Sequence, residues 1–370
     1  MNLKFRNKNK SKDPKIRVIK SAGREWFDAI LFAVIAATLI RGLFIEAYTI
    51  PTGSMEKTLL VGDFLFVSKV NYGARTPITP VSFPFAHHTM PITGTKAYWE
   101  GIQWKYYRLP GLGKVKRNDV VVFNYPMDAD APLSRPVDKR ENYIKRCVAI
   151  SGDTIRIINA QVYINSKPAE VPEFGEKYYY VKSDGTDFNP QTITDMHIEA
   201  QRSAEDEYIF NMSAEDAAIV KRWANVKSVK PYIRPINEFD SQIFPHNADF
   251  KWNADNFGPL IIPKQGWTVK LDNTTFPLYE RAISIYEGNT IERSGNDILI
   301  NGKKTLSYTF KQDYFWMMGD NRDNSLDSRY WGFVPEDHIV GKALFVWMSW
   351  DTNGTFLDKV RWSRILGGIH

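Results

Sequence analysis

The first hydrophobic feature of the chain is a run of twenty residues, WFDAILFAVIAATLIRGLFI (26–45), in which only Asp28 and Arg41 carry charge. Coiled as a helix at ~1.5 Å per residue it would reach about 30 Å, the thickness of a bilayer's hydrocarbon core. Both charges fall near its ends, where a side chain can reach an interface, and Trp26 suits the interfacial aromatic belt. Beyond it the pattern changes to short apolar runs bounded by Gly, Pro and Asn: DFLFVSKV (63–70), DVVVFNYP (119–126), NYIKRCVAI (142–150) and the meander over 152–171. These are strand signals. Strands resume at 310–318 and 340–350, while residues 160–310 are more polar and read as an insertion. Inside the insertion, Ser213 and Asp216 predict a capped helix over 214–224, and ILINGK (298–303) predicts a strand running into a tight turn. With no run of βαβ units, the expectation is a mainly β fold with a few helices and an N-terminal transmembrane helix. Its divisions are a basic tail (1–24), an anchor (25–46), a first core segment (47–159), the insertion (160–310) and a second core segment (311–370).

Charge sharpens the reading of the anchor. Residues 1–24 hold nine cations against Asp13, a net +8 in a chain whose total is +6, so the rest is slightly acidic. The basic excess is a tail and gives no nucleic-acid-binding face to the folded part. A core helix of a soluble domain needs no such flank, and no good small-x-small site follows the apolar run as in a cleaved export signal. The positive-inside rule places residues 1–24 in the cytoplasm and the chain after about residue 46 outside. The Pro- and aromatic-rich stretch 80–113 is a candidate for contact with the membrane surface. A single cysteine, Cys147, excludes an intramolecular disulfide and a multi-cysteine zinc site.

Three segments carry candidate chemistry. Ser54 sits in IPTGSM (50–55), just past the anchor, where Pro51 and Gly53 suit a tight turn that presents a hydroxyl. Lys145 lies mid-strand; alternation puts Tyr143, Lys145, Cys147 and Ala149 on one face. A lysine held among apolar neighbours tends to lose its charge and can serve as a base. If Lys145 points inward, Arg146 is expected to point outward. Taken singly, a Gly-Ser pair is a common turn and a strand lysine is commonly exposed. The third segment, GDNRDNSLDSRYWGFVP (319–335), is a poor EF-hand: counted from Asp323, Ser328 stands where glycine is needed and Val334 where glutamate is needed. A loop fixed by carboxylate–arginine pairs fits better, with Asp327 and Arg329 as possible partners.

Together these blocks, with GDFLFVSK, NDVVVFNYP and YIKR…ISGD in the same order, resemble bacterial signal peptidase I across the anchor and residues 46–75, 117–155 and 315–350. The resemblance implies a β catalytic domain with an inserted β-rich cap, in a single-pass protein of the bacterial cytoplasmic membrane. Its substrates would be the signal peptides of exported preproteins. It implies Ser54 as nucleophile, Lys145 as general base, and the Ser54 N–H with the Thr52 hydroxyl as oxyanion hole. Ser325 would orient Lys145, while Asp320, Asp327 and Arg329 would hold the loop. Ile50 and Ile144 would line small pockets for Ala-x-Ala ends. The partners implied are signal peptides and membrane lipid, without nucleic acid, metal or cofactor; oligomeric state is left open. The chain departs from the family pattern at Lys57, where a proline is common, and at Thr52, where some members carry serine.

Two other readings compete. Ser54-Met55-Glu56-Lys57 is a literal S-x-x-K, as in penicillin-binding proteins and serine β-lactamases, and Ser294-Gly295-Asn296 would supply the S-x-N element. A K-T-G element is absent, and Gly62 interrupts the helix such a nucleophile would begin. The second is a non-catalytic anchored binding protein, which requires Ser54 and Lys145 to lie apart. A Cys147 nucleophile is disfavoured, because a cysteine in an apolar strand is usually inert core.

Overall fold

A computed structural model of the chain describes residues 21–172, 174–295, 297–351, 354 and 359–369. Most of the basic tail, and Asn296 of the S-x-N element, lie outside the described residues. Helix α1 (Ala22–Leu43) is about 33 Å long, and none of its residues is buried against protein. Trp26, Phe27 and Phe32 stand open along its flank. It is long and apolar enough to cross a membrane. One residue, Phe44, separates it from the first strand.

Seven strands form the main sheet: β1 (Ile45–Thr49), β2 (Asp63–Ser68), β3 (Val120–Asn124), β4 (Asn142–Ala149), β5 (Tyr314–Met318), β6 (Val334–Pro335) and β7 (Ile339–Ser349). All pairs are antiparallel, in the spatial order β1-β2-β7-β3-β4-β5-β6. The unbroken apolar run in β3 follows from a sheet covered on both faces. Val120 and Val122 pack with Leu65, Val67, Ala343 and Val346 on one side. Val121 and Phe123 pack with Cys147, Phe315, Met317 and Trp331 on the other. Register shifts in β7 against β2 and β3, and in β5 against β4, mark bulges where the sheet curls.

The chain between β4 and β5 builds smaller sheets. Strands 226–231, 176–183, 207–213 and 199–202 form one sheet; 257–261, 154–158, 161–164 and 167–168 form another. The expected division between residues 159 and 160 falls at the turn of the hairpin joining 154–158 to 161–164. Its Asn159 and Ala160 both take positive φ, as a two-residue hairpin turn requires. The capped helix is present but shorter than expected. It spans Ala214–Val220 with the full Ser213/Asp216 capping box, and the chain then turns into the strand at Val226.

Candidate active site

Ser54 occupies a short helical turn, Gly53–Met55, between β1 and β2. Beneath it, Met55 and Leu59 are fully buried against the sheet. From the side, the Asn321 backbone N–H donates to the Ser54 carbonyl (3.2 Å) and its side-chain amide donates to the Gly53 carbonyl (3.1 Å). Asn211 in turn donates to the Asn321 amide oxygen at 2.9 Å. Gly319 lets this arrangement close: a Cβ there would run into the Ser54 carbonyl and the Ser325 hydroxyl. Gly62, at φ +87°, plays a similar part at the base of the loop, where a Cβ would strike the Trp350 carbonyl.

Lys145 lies on β4 opposite Val121 and is 4% exposed. Its Nζ is 2.5 Å from Ser54 Oγ. Burial lowers the amine from its ordinary 10.5 to about 8, against the opposing pull of the Asp327 and Asp320 carboxylates. The ring of Tyr143 stands 5.7 Å from Nζ and stacks on Tyr125 at 4.2 Å.

Two buried ion pairs anchor the 319–329 loop. Asp327 accepts both Nε and a terminal nitrogen of Arg329 at 2.9 Å, with the Gly319 N–H at 3.2 Å. Asp320 accepts Thr58 Oγ1 at 2.7 Å and two nitrogens of Arg146 at 2.8 and 2.6 Å. Arg146 therefore does not face solvent, as alternation alone implied: it is 5% exposed. The 319–327 loop covers that face, and Asp320 compensates the buried guanidinium.

Thr52, Ser54, Ile144, Lys145, Ser325 and Leu326 line an open groove of about 580 Å³. Thr52 is exposed at its rim. Ile50 is 3% exposed, packs in the core beneath and does not line the groove. Ser325 is 5% exposed, and its hydroxyl has no hydrogen-bond partner among the described residues.

Lys57, the other lysine near the serine, points away from it. Its amine pairs with Asp216 and, at 3.5 Å, with Glu176, both in the chain between β4 and β5. That removes the base an S-x-x-K reading requires. Cys147 is fully buried, and burial pushes its thiol well above the usual range. Among the described residues no cluster of three or more His, Cys, Asp or Glu is arranged to hold a metal. Asn321 and the Arg146–Asp320 pair were not singled out from sequence. The signal for Asn321 was the density of Asx residues in GDNRDN, a composition that turns and metal loops share.

The sequence matches the family described as signal peptidase, peptidase S26, over residues 23–218 and 208–350. It is similar to signal peptidase I of Buchnera aphidicola subsp. Acyrthosiphon pisum, 29% identical with all of this chain and 90% of the relative covered. Signal peptidase I of Helicobacter pylori is 26% identical, over 96% of this chain and 94% of the relative. That of Pseudomonas aeruginosa is 25% identical, over 89% and 72%. The chain belongs to the signal peptidase S26 family, and is a serine peptidase.

Proposed function

We propose that the protein is a membrane-anchored endopeptidase that removes N-terminal signal peptides from exported preproteins through a Ser54–Lys145 dyad. The contact of 2.5 Å between a buried, pKa-lowered amine and the hydroxyl of a groove-facing serine carries the reading. Neutral Lys145 takes the Ser54 proton as Oγ attacks the scissile carbonyl. The oxyanion falls to the Ser54 N–H and the Thr52 hydroxyl. When the C–N bond breaks, the Lys145 ammonium returns the proton to the departing amine, the new N-terminus of the mature protein. The resulting ester is attacked by a water that Lys145 deprotonates. As the acyl–Oγ bond breaks, Ser54 regains a proton and the signal peptide leaves as a carboxylate. Ser325, with its unpartnered hydroxyl beside the groove, turns to orient the amine. Asp320, Asp327 and Arg329 hold the loop that positions it, and Ile144 shapes the groove for a small side chain. Ile50 acts only from beneath.

Anchoring rests on α1, whose apolar surface no part of the described protein covers. Lipid would cover it, with the basic tail on the cytoplasmic side and the groove on the other. Ser54 lies eleven residues past the helix end, within ~40 Å of it even if fully extended. A substrate whose apolar segment is in the same bilayer thus has its cleavage site within reach. The test is to incubate detergent-solubilised protein with an Ala-x-Ala preprotein and map the products by mass. A single cut at the signal junction is expected; cuts scattered through the mature region, or none by folded protein, overturn the proposal.

A further inference from the structure

A second cavity, of about 310 Å³, opens where α1 meets the sheet. Its wall runs from Thr38, Arg41 and Gly42 on the helix to Lys69, Arg75 and Lys139 on the folded part. Four cations line it (Arg41, Lys69, Arg75, Lys139) against two carboxylates, Glu46 and Asp138, so the lining is net +2.

The carboxylates are already engaged. Glu46 accepts Arg41 Nε at 2.5 Å, Lys69 Nζ at 2.9 Å and the Tyr48 hydroxyl at 2.8 Å. Asp138 accepts the Thr79 N–H and hydroxyl at 2.9 and 3.0 Å. Lys139 is 8% exposed, and its Nζ makes no hydrogen bond among the described residues. The nearest carboxylate, Asp138, stands 4.0 Å away, and the Tyr98 ring 5.8 Å away. Arg75 donates to neutral acceptors, the Asp337 carbonyl at 2.5 Å and the Asn124 amide oxygen at 2.7 Å. An ammonium that has lost much of its water without gaining a hydrogen-bonded counterion is unfavourable, and an anion entering the cavity relieves it.

Position selects the anion. Thr38 lies five residues before the end of α1, about 7.5 Å along the axis. A ligand touching both Thr38 and Lys69 therefore spans from the acyl level to the surface. Phe83 and Phe85 also line the cavity and are exposed and apolar. We infer that this cavity binds the phosphate of an anionic phospholipid, with Lys139 and Lys69 on the phosphate and the chains running along α1 beside Phe83 and Phe85. The inference rests on the reading of α1 as a membrane span.

The test uses the full chain in neutral detergent, at fixed ionic strength, with thermal shift read against added dioctanoyl phosphatidylglycerol, dioctanoyl phosphatidylcholine or inorganic phosphate. Saturable stabilisation by phosphatidylglycerol is expected, with much weaker effects of the other two. Lys139→Gln removes one charged hydrogen bond and should weaken the phosphatidylglycerol response about tenfold or more. The unliganded protein should stay folded, because the amine that is lost makes no hydrogen bond and only a 4.0 Å ion pair with Asp138. Lys114→Gln, an exposed lysine elsewhere, controls for general charge loss and should change little. Equal responses to inorganic phosphate and phosphatidylglycerol would identify a free-anion site and overturn the lipid assignment. A Lys139→Gln response equal to wild type would place lipid binding elsewhere, including the basic tail, and overturn it too. Flotation with phosphatidylcholine vesicles separates the two readings. Failure to float removes the membrane span, whereas flotation together with a phosphatidylglycerol thermal shift that does not depend on Lys139 removes only this site.

Discussion

With Lys145 as the proposed base, its burial sets the pH dependence expected of turnover. With its amine at about 8 rather than 10.5, about a tenth of it is neutral at pH 7, against about 0.03% for an unperturbed lysine, a gain of roughly 300-fold in available base. kcat/KM should therefore rise about tenfold per pH unit on the acid side and level off near pH 8. Asp320 and Asp327 pull the other way, so Asp320→Asn should move the acid limb further acidward, by about one pH unit or less. The Arg146 guanidinium, left without its carboxylate, pushes in the same direction. Stability carries the matching sign. The unfolded lysine holds its proton up to about 10.5 while the folded one releases it near 8, so the unfolded chain binds more protons in that window. Stability should climb as pH rises from about 8 to about 10.5. Below that range the buried charge is a penalty of up to about 3 kcal/mol, which Lys145→Met removes while abolishing turnover. The assay is initial-rate cleavage across pH in a constant-ionic-strength buffer, with thermal melts on the same samples. A profile rising toward acid pH, an acid limb that moves alkaline in Asp320→Asn, or a Lys145→Met protein less stable than wild type at pH 7 would refute the reasoning.

Three further outcomes are expected. Gly319→Ala forces a methyl between the Ser54 carbonyl and Ser325, so kcat should fall about a hundredfold while far-UV circular dichroism is unchanged; near-normal turnover would show that the turn can shift freely. Asn321→Ala removes the side-chain bond to the Gly53 carbonyl and strands Asn211, which should lower kcat roughly tenfold with KM nearly constant, measured by steady-state kinetics. Burial raises the Glu176 carboxyl to about 7, so the folded chain binds more protons than the unfolded one between about 4.5 and 7, and stability falls as pH rises through that window. Glu176→Gln should flatten this fall in melts taken across the same range.

Five strands of the main sheet, β2, β3, β4, β5 and β7, were legible as apolar runs such as DVVVF, a local signal; β1, which begins inside the expected anchor, and the two-residue β6 were not. The Ser54 and Lys145 segments could be marked one by one, but their meeting is a product of β3–β4 register and of a turn fixed by the distant Asn321. Arg146 shows the limit of alternation. Period two assigns a face, yet whether that face meets water depends on Asp320, 174 residues later in the chain. Ile50 shows the same limit in reverse, since its neighbours line the groove while its own side chain enters the core. The insertion was least legible. Its contact with the Ser54 segment runs through Lys57, Glu176 and Asp216, residues whose spacing along the chain holds no trace of their pairing.

The central claim is that Ser54 and Lys145 act together on a signal peptide. Its most direct test is single-turnover cleavage of an Ala-x-Ala preprotein by wild type, Ser54→Ala and Lys145→Met, with folding verified by melting. The account predicts one cut at the signal junction by wild type and a loss of at least about a thousandfold in each variant. Junction cleavage persisting near the wild-type rate in either folded variant would contradict it.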